Sequence, residues 1–218
     1  MSGGADGAGS TALSDEQAAR FQWLLESDGV CVFPTDTVYG IGCSPDSQAA
    51  IERVYELKGR PAAKPSAVMF FTRAGALAAL AELAPRERAA VRALLPGALT
   101  LLLPNRARRF LAACGPDPDT LGLRVPALTP ALAALARVHG PVLQSSANLS
   151  GGPEARRVEE IPAALRRGTQ LVLDGGELPG VASTVVDLRE FQRSGSWRVL
   201  REGAVDGGEL ARLLGLLA

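Results

Sequence analysis

Short apolar runs, each cut off by proline, glycine or a polar residue, alternate along this chain with longer segments whose apolar residues recur every three or four positions. Val30 to Phe33, Ala67 to Phe71, Thr100 to Leu103, Leu121 to Val125, Val142 to Ser145 and Leu171 to Asp174 read as buried strands. Helices lie between them. The first opens on a Ser14/Gln17 capping box and runs to about Glu26, with Phe21, Trp23, Leu24 and Leu25 as its apolar set. Others are expected over Ser47 to Leu57, Ala74 to Glu82, Pro85 to Leu95, Pro130 to Val138, Pro162 to Arg167 and Gly208 to Leu217. Val181 to Leu188 and Trp197 to Arg201 read as a strand pair around a polar loop, and Gly42 to Asp46 and Asn105 to Thr120 as connections. The interleaving predicts an α/β fold: one domain, residues 14–218, with a twisted mixed sheet and helices on its faces. Residues 1–13, rich in Gly, Ala and Ser, read as a disordered tail.

Composition narrows the function classes. Lys plus Arg and Asp plus Glu are both 23, so the balance of charge gives no case for general nucleic-acid binding. No apolar stretch is long enough to span a membrane, and the N-terminus lacks a signal peptide's basic start and apolar core. Cys31, Cys43 and Cys114 show no paired spacing, which points to a reducing cytoplasm without a disulfide framework or zinc site. The single histidine, His139, sits at a predicted helix end, where a positive ring favours the helix's negative pole; one histidine leaves no basis for multi-histidine metal sites. Only Lys58 and Lys64 are lysines among the 23 cations; this reads either as a plain compositional bias toward arginine or as two positions whose chemistry arginine does not supply. Neither a Walker-type loop nor a complete dinucleotide fingerprint occurs; Gly40-Ile41-Gly42 is followed by Pro45 where the third glycine belongs.

Polar groups instead gather at strand ends, where open α/β sheets bind ligands. Thr35 and Thr37 can face one side of an extended chain, or simply bond within a turn. Lys58, Arg60 and Lys64 put three cations among prolines; this is either a polyanion clamp or a solvated loop. Arg124 lies in an apolar strand and needs a carboxylate partner, from the protein or from a ligand. Ser145 to Gly152 packs small polar side chains and glycines into a turn suited to an anion. Asp187 and Arg201, on the late strand pair, read as partners of each other.

In order, the segments read PTDTVYGIG, KGRPAAKP, PGALT (Pro96 to Thr100), LGLRVP, SSANLSG, STVVD and LREGA, and from about Asp28 to Arg201 the chain resembles the YrdC-like family of threonylcarbamoyl-AMP synthases. The resemblance implies a concave, basic ligand-binding face and a reaction in which L-threonine, bicarbonate or CO2, and ATP give threonylcarbamoyl-AMP and pyrophosphate. ATP would enter with Mg2+, and no protein ligand to the metal is assigned. The product would pass to a downstream tRNA-modifying transferase complex, with tRNA contact also open. On this resemblance Thr37, Arg124, Ser146 and Ser183 are threonine ligands. Lys58, Arg60 and Lys64 clamp the triphosphate, Lys58 and Arg60 acting in catalysis, while Thr120, Asn148, Arg156 and Arg201 contact the nucleotide. At 218 residues the chain is similar to the short, single-domain members. Ser66 and Ala98 replace a usual Leu and Pro, and Met69 stands where some members place a histidine that touches threonine.

The implied mechanism uses no covalent nucleophile. A threonine amine that attacks CO2 gives a carbamate, whose oxygen attacks the α-phosphate; alignment and charge neutralisation carry such a step. Two other readings remain: a non-catalytic YrdC-like module that grips RNA, and a carbamoyl-transferring enzyme of the hydrogenase-maturation type, whose extra zinc-finger-like and acylphosphatase-like parts have no counterpart here.

Overall fold

The computed structural model describes residues 12–59 and 65–217. Strands β1 (Cys31–Phe33), β2 (Gly40–Cys43), β3 (Ala67–Met69), β4 (Leu99–Pro104), β5 (Thr120–Arg124), β6 (Val142–Ser146), β7 (Leu171–Val172), β8 (Thr184–Asp187) and β9 (Arg198–Arg201) form one sheet. Its spatial order is β7-β1-β2-β6-β3-β5-β4-β8-β9. Three pairs are parallel (β1 with β7, β3 with β5, β4 with β8) and five antiparallel, so the sheet is mixed, as the late strand pair predicts. Helices α1 (Asp15–Glu26), α2 (Gln48–Lys58), α3 (Arg73–Ala79), α4 (Pro85–Leu94), α5 (Leu111–Cys114), α6 (Ala163–Gly168), α7 (Phe191–Ser194) and α8 (Gly207–Gly215) follow the predicted order, except that α5 and α7 are single turns inside segments read as connections.

The period-two alternation of the strands sorts side chains to two faces. Val32, Val68, Leu101, Leu103, Leu121, Leu123, Leu143 and Val186 point into the larger core beneath α2, α4, α6 and α8. Phe33, Met69 and Val142 point the other way, into a smaller core closed by Phe21, Leu24 and Leu25 of α1 and by Leu132 and Leu135. Phe21 and Phe33 stack with ring centres 5.0 Å apart, and Phe71 meets both at 5.9 Å. The α1 capping box forms as expected: the Gln17 N–H donates to Ser14 Oγ and the Ser14 N–H to Gln17 Oε1. Trp23 departs from the apolar set of that helix; it is 63% exposed. Leu13 is buried, its N–H bonded to the Ala131 carbonyl at 2.8 Å, so the packed chain begins within the segment read as a tail; residues 1–11 lie outside the described residues.

Two local predictions are corrected. Pro130–Arg137 is a run of 3-10 turns, and its buried leucines, Leu132 and Leu135, sit three apart, the spacing that eclipses in that helix. Residues 40–43 form a strand, including Gly42 and Cys43, which were read as loop; two glycines in four residues erase the usual strand signal. The glycine has a packing reason. A Cβ at Gly42 would lie 2.4 Å from the Leu143 carbonyl oxygen on neighbouring β6. Gly42→Ala is therefore expected to lower stability by about 1–3 kcal/mol, the usual range for overpacking, in urea unfolding.

Candidate active site

The smaller core covers only part of its sheet face. Across β6, β3, β5, β4 and β8 the same face is open, and its alternate positions line a cavity: Ser146 and Gln144, Ala67, Thr120 and Arg124, Thr100 and Leu102, and Val185 with Ser183. The cavity measures about 350 Å³. That places it in the size class of small-molecule sites. Polar residues stand where the neighbouring face positions carry core side chains, which is why this stretch of sheet is not sealed by a helix.

Arg124 is the centre of the site. It is 3% exposed, and burial pushes its pKa down while Asp36 pushes it back up. The Nη2 group donates to Asp36 Oδ1 at 2.6 Å, to Thr37 Oγ1 at 2.6 Å and more weakly to Thr35 Oγ1 at 3.4 Å. Thr35 and Thr37 do face one another, Oγ1 to Oγ1 at 3.0 Å, and Thr35 also bonds the Val38 carbonyl, so its hydroxyl is spent within the turn. Asp36, which sequence reasoning did not single out, receives the Ala127 N–H on its other oxygen at 2.9 Å. The partner of Arg124 is thus a protein carboxylate on one edge of the guanidinium. Its buried Nε–H has no hydrogen-bond partner among the described residues.

Ser183 is buried and exchanges a hydrogen bond with Thr100 at 2.9 Å, while Arg201 Nη2 donates to the Ser183 carbonyl at 2.7 Å and hydroxyl at 3.2 Å. The close approach of Gly203, whose Cβ would lie 2.3 Å from the Ala182 carbonyl oxygen, seats β9 on this segment. Asp187 does not pair with Arg201. A register shift puts Arg201 opposite Val185 and Arg198 opposite Asp187. Asp187 receives Arg189 Nη2 at 2.7 Å and Arg198 Nε at 3.1 Å, and the Arg189 hydrogen bonds hold its carboxyl down at about 2. Arg189 itself lines the cavity, reaches Thr120 Oγ1 at 3.4 Å and was not foreseen from the sequence.

Of the remaining predicted residues, Lys58 is buried at the end of α2, and its ammonium is occupied: it donates to the Ser146 carbonyl, to the Asn148 carbonyl at 2.7 Å and to Asn148 Oδ1 at 3.1 Å. Ser146 Oγ bonds the same Asn148 oxygen at 2.7 Å. Lys58 therefore ties the Ser145 to Gly152 turn to α2 and is not among the residues that line the cavity. Arg156 pairs with Glu177 at 2.5 Å and does not line the cavity. Met69 is enclosed in the smaller core. Arg60 and Lys64 lie outside the described residues; Pro65 and Ser66, which follow them, line the cavity wall. Cys31, Cys43 and Cys114 are free and buried, and burial raises all three thiol pKa values, Cys43 to about 12.

A depressed carboxyl gives a signed prediction. The Asp187 contribution to stability is present above the unfolded-state pKa, near 4, and is lost as pH falls toward 2. Asp187→Asn is expected to cost about 1–2 kcal/mol at pH 7, with the deficit shrinking between pH 4 and pH 2 in denaturant titrations.

A family model named for Sua5, YciO and YrdC and described as "Telomere recombination" matches residues 23–203. A threonylcarbamoyl-AMP synthase of Bacillus subtilis is 33% identical over 175 residues, 79% of this chain and 50% of that protein. One of Xanthomonas oryzae is 37% identical over 155 residues, 69% of this chain and 81% of that protein. Sua5 of Pyrococcus abyssi, solved in complex with L-threonine, superposes with a TM-score of 0.77 at 30% identity, covering 93% of this chain and 58% of that one. Escherichia coli YciO superposes with a TM-score of 0.70 at 28% identity, covering 88% and 92%. The chain spans about half the length of the Bacillus and Pyrococcus proteins it matches. With the predicted α/β fold in place and the family model spanning most of the chain, the protein belongs to the Sua5/YciO/YrdC family.

Proposed function

We propose that this chain is an L-threonylcarbamoyladenylate synthase, a nucleotidyltransferase that joins L-threonine, bicarbonate or CO2, and MgATP and releases pyrophosphate. The observation that carries the reading is the state of Arg124: a buried guanidinium on the cavity wall, held through Nη2, whose Nε–H has no partner among the described residues. An N–H so placed is suited to a ligand carboxylate. The names of the relatives and the threonine complex of Pyrococcus Sua5 support the same substrate.

In this reading threonine lies with its carboxylate toward Arg124, bounded by Ser146 and Ser183, while Thr37 orients the guanidinium. Thr120 and Arg201 flank the nucleotide from β5 and β9, with Arg189 between Asp187 and the cavity as an additional cation. Arg60 and Lys64 stay assigned to the triphosphate, and Lys58 and Asn148 shape the turn that carries Ser146. Arg156 keeps a nucleotide role only by leaving Glu177. Magnesium enters with the phosphates, its chief ligands; among the described residues no cluster of three His, Cys, Asp or Glu forms a resident metal site. The threonine ammonium first loses a proton; the free amine adds to CO2 and releases a second proton to give the carbamate, whose oxygen attacks the α-phosphorus as the bond to pyrophosphate breaks. The chain's part is to align these groups and spread the charge. Among the described residues no helix is long and apolar enough to cross a membrane. A cytoplasmic location, a downstream tRNA-modifying transferase and tRNA contact follow from the reading.

Pyrophosphate release is expected to require both threonine and bicarbonate. Arg124→Lys keeps a charge for Asp36 but loses the fork, so it should raise the threonine KM about tenfold or more and leave the ATP KM nearly unchanged. Release without threonine, or equal effects on both KM values, contradicts the assignment.

A further inference from the structure

Among the described residues three buried side-chain polar atoms lack a hydrogen-bond partner, and two of them belong to residues of this cavity: Nε of Arg124 and Oε2 of Glu154. The third, on Glu82, is the spare oxygen of a carboxylate already paired with Arg109. Buried polar groups are ordinarily satisfied, so an unmade donor and an unmade acceptor on two residues that line one cavity point to a ligand. The two atoms are opposite in kind. One is a donor on a cation and the other an acceptor on a carboxylate. A zwitterionic α-amino acid presents the complementary pair, a carboxylate beside an ammonium.

Glu154 is held in place from both sides. It follows the Ser145 to Gly152 turn, which Lys58 ties to α2, and the next residue, Ala155, accepts the Tyr39 N–H at 3.0 Å. Tyr39 is in turn fixed by its hydroxyl, which donates to the Gly176 carbonyl at 2.8 Å and receives the Gly175 N–H at 3.0 Å. No hydrogen bond joins Glu154 to Arg124, although both residues line the same cavity.

We propose that Glu154 receives the ammonium of the amino acid whose carboxylate Arg124 takes, so that the cavity reads both ends of the zwitterion. This rests on the threonine assignment above and adds a specificity-determining residue to it. The test measures binding, without ATP or magnesium, of L-threonine and of 3-hydroxybutyrate, which keeps the carboxylate and hydroxyl but lacks the amine. Wild-type protein is expected to bind L-threonine about tenfold or more tightly than the des-amino acid. Glu154→Gln should bring the two within about threefold, mostly by weakening threonine, since only a charge-assisted bond is removed. The wild-type comparison stands without any variant: equal affinity for the two ligands overturns the ammonium site even should Glu154→Gln fail to fold. Undiminished discrimination in a folded Glu154→Gln overturns it as well and leaves the threonine assignment standing. Absence of threonine binding by the wild type overturns both.

Discussion

Burying a guanidinium costs several kcal/mol unless its donors are met, and the way Arg124 meets that cost organises this molecule. Its acceptors come from the turn between β1 and β2. In the sheet, β6 and β3 lie between β2 and β5, so the turn must reach across the strand ends to find Arg124. Asp36 completes the bridge by taking the Ala127 N–H just past β5. A contact that closes the topology is thereby also the one that orients the cavity's buried cation. Asp36, Thr37 and Thr35 all meet the guanidinium at Nη2, and its Nε–H is left without a partner among the described residues.

The cavity is a consequence of the same alternation that builds the cores. One face of the sheet is apolar along its width and sealed by helices. On the other, aromatic and aliphatic side chains at Phe33, Met69 and Val142 give way to Ser146, Gln144, Arg124, Thr120 and Thr100 on the same pleat. Helix α1 covers the first group and stops. A site built on strands and their immediate ends, clipped by Lys58, Tyr39 and Gly203, holds its polar groups on rigid backbone.

Much of this was legible in the residues. The capping box at Ser14, the apolar strand runs and the need of Arg124 for a partner follow from local rules, and the expected fold is the one found. What was not legible depends on neighbours in space. Strand β2 was lost because Gly42 is there for the Leu143 backbone, which no local pattern reveals. The pairing of Asp187 was misassigned because a shift between β8 and β9 moves Arg201 away and brings Arg198 opposite. Lys58 drew notice as a rare lysine, yet its ammonium serves the turn bearing Ser146, a role visible only once α2 and β6 are packed together. Glu154 was not singled out in the sequence; it stands out only as a cavity-lining carboxylate with a buried oxygen that has no partner among the described residues. The reaction came from the ordered motifs and the resemblance they carry, since composition alone excludes classes without choosing a substrate.

The central claim is that the Nε–H of Arg124 waits for a carboxylate. The most direct measurement is the Nε–H resonance of Arg124, assigned by its disappearance in Arg124→Lys, during titration with L-threonine. The account predicts that this signal shifts and exchanges more slowly with water, while the arginine signals remote from the cavity stay put. A protein that binds threonine while this resonance remains unmoved would contradict it.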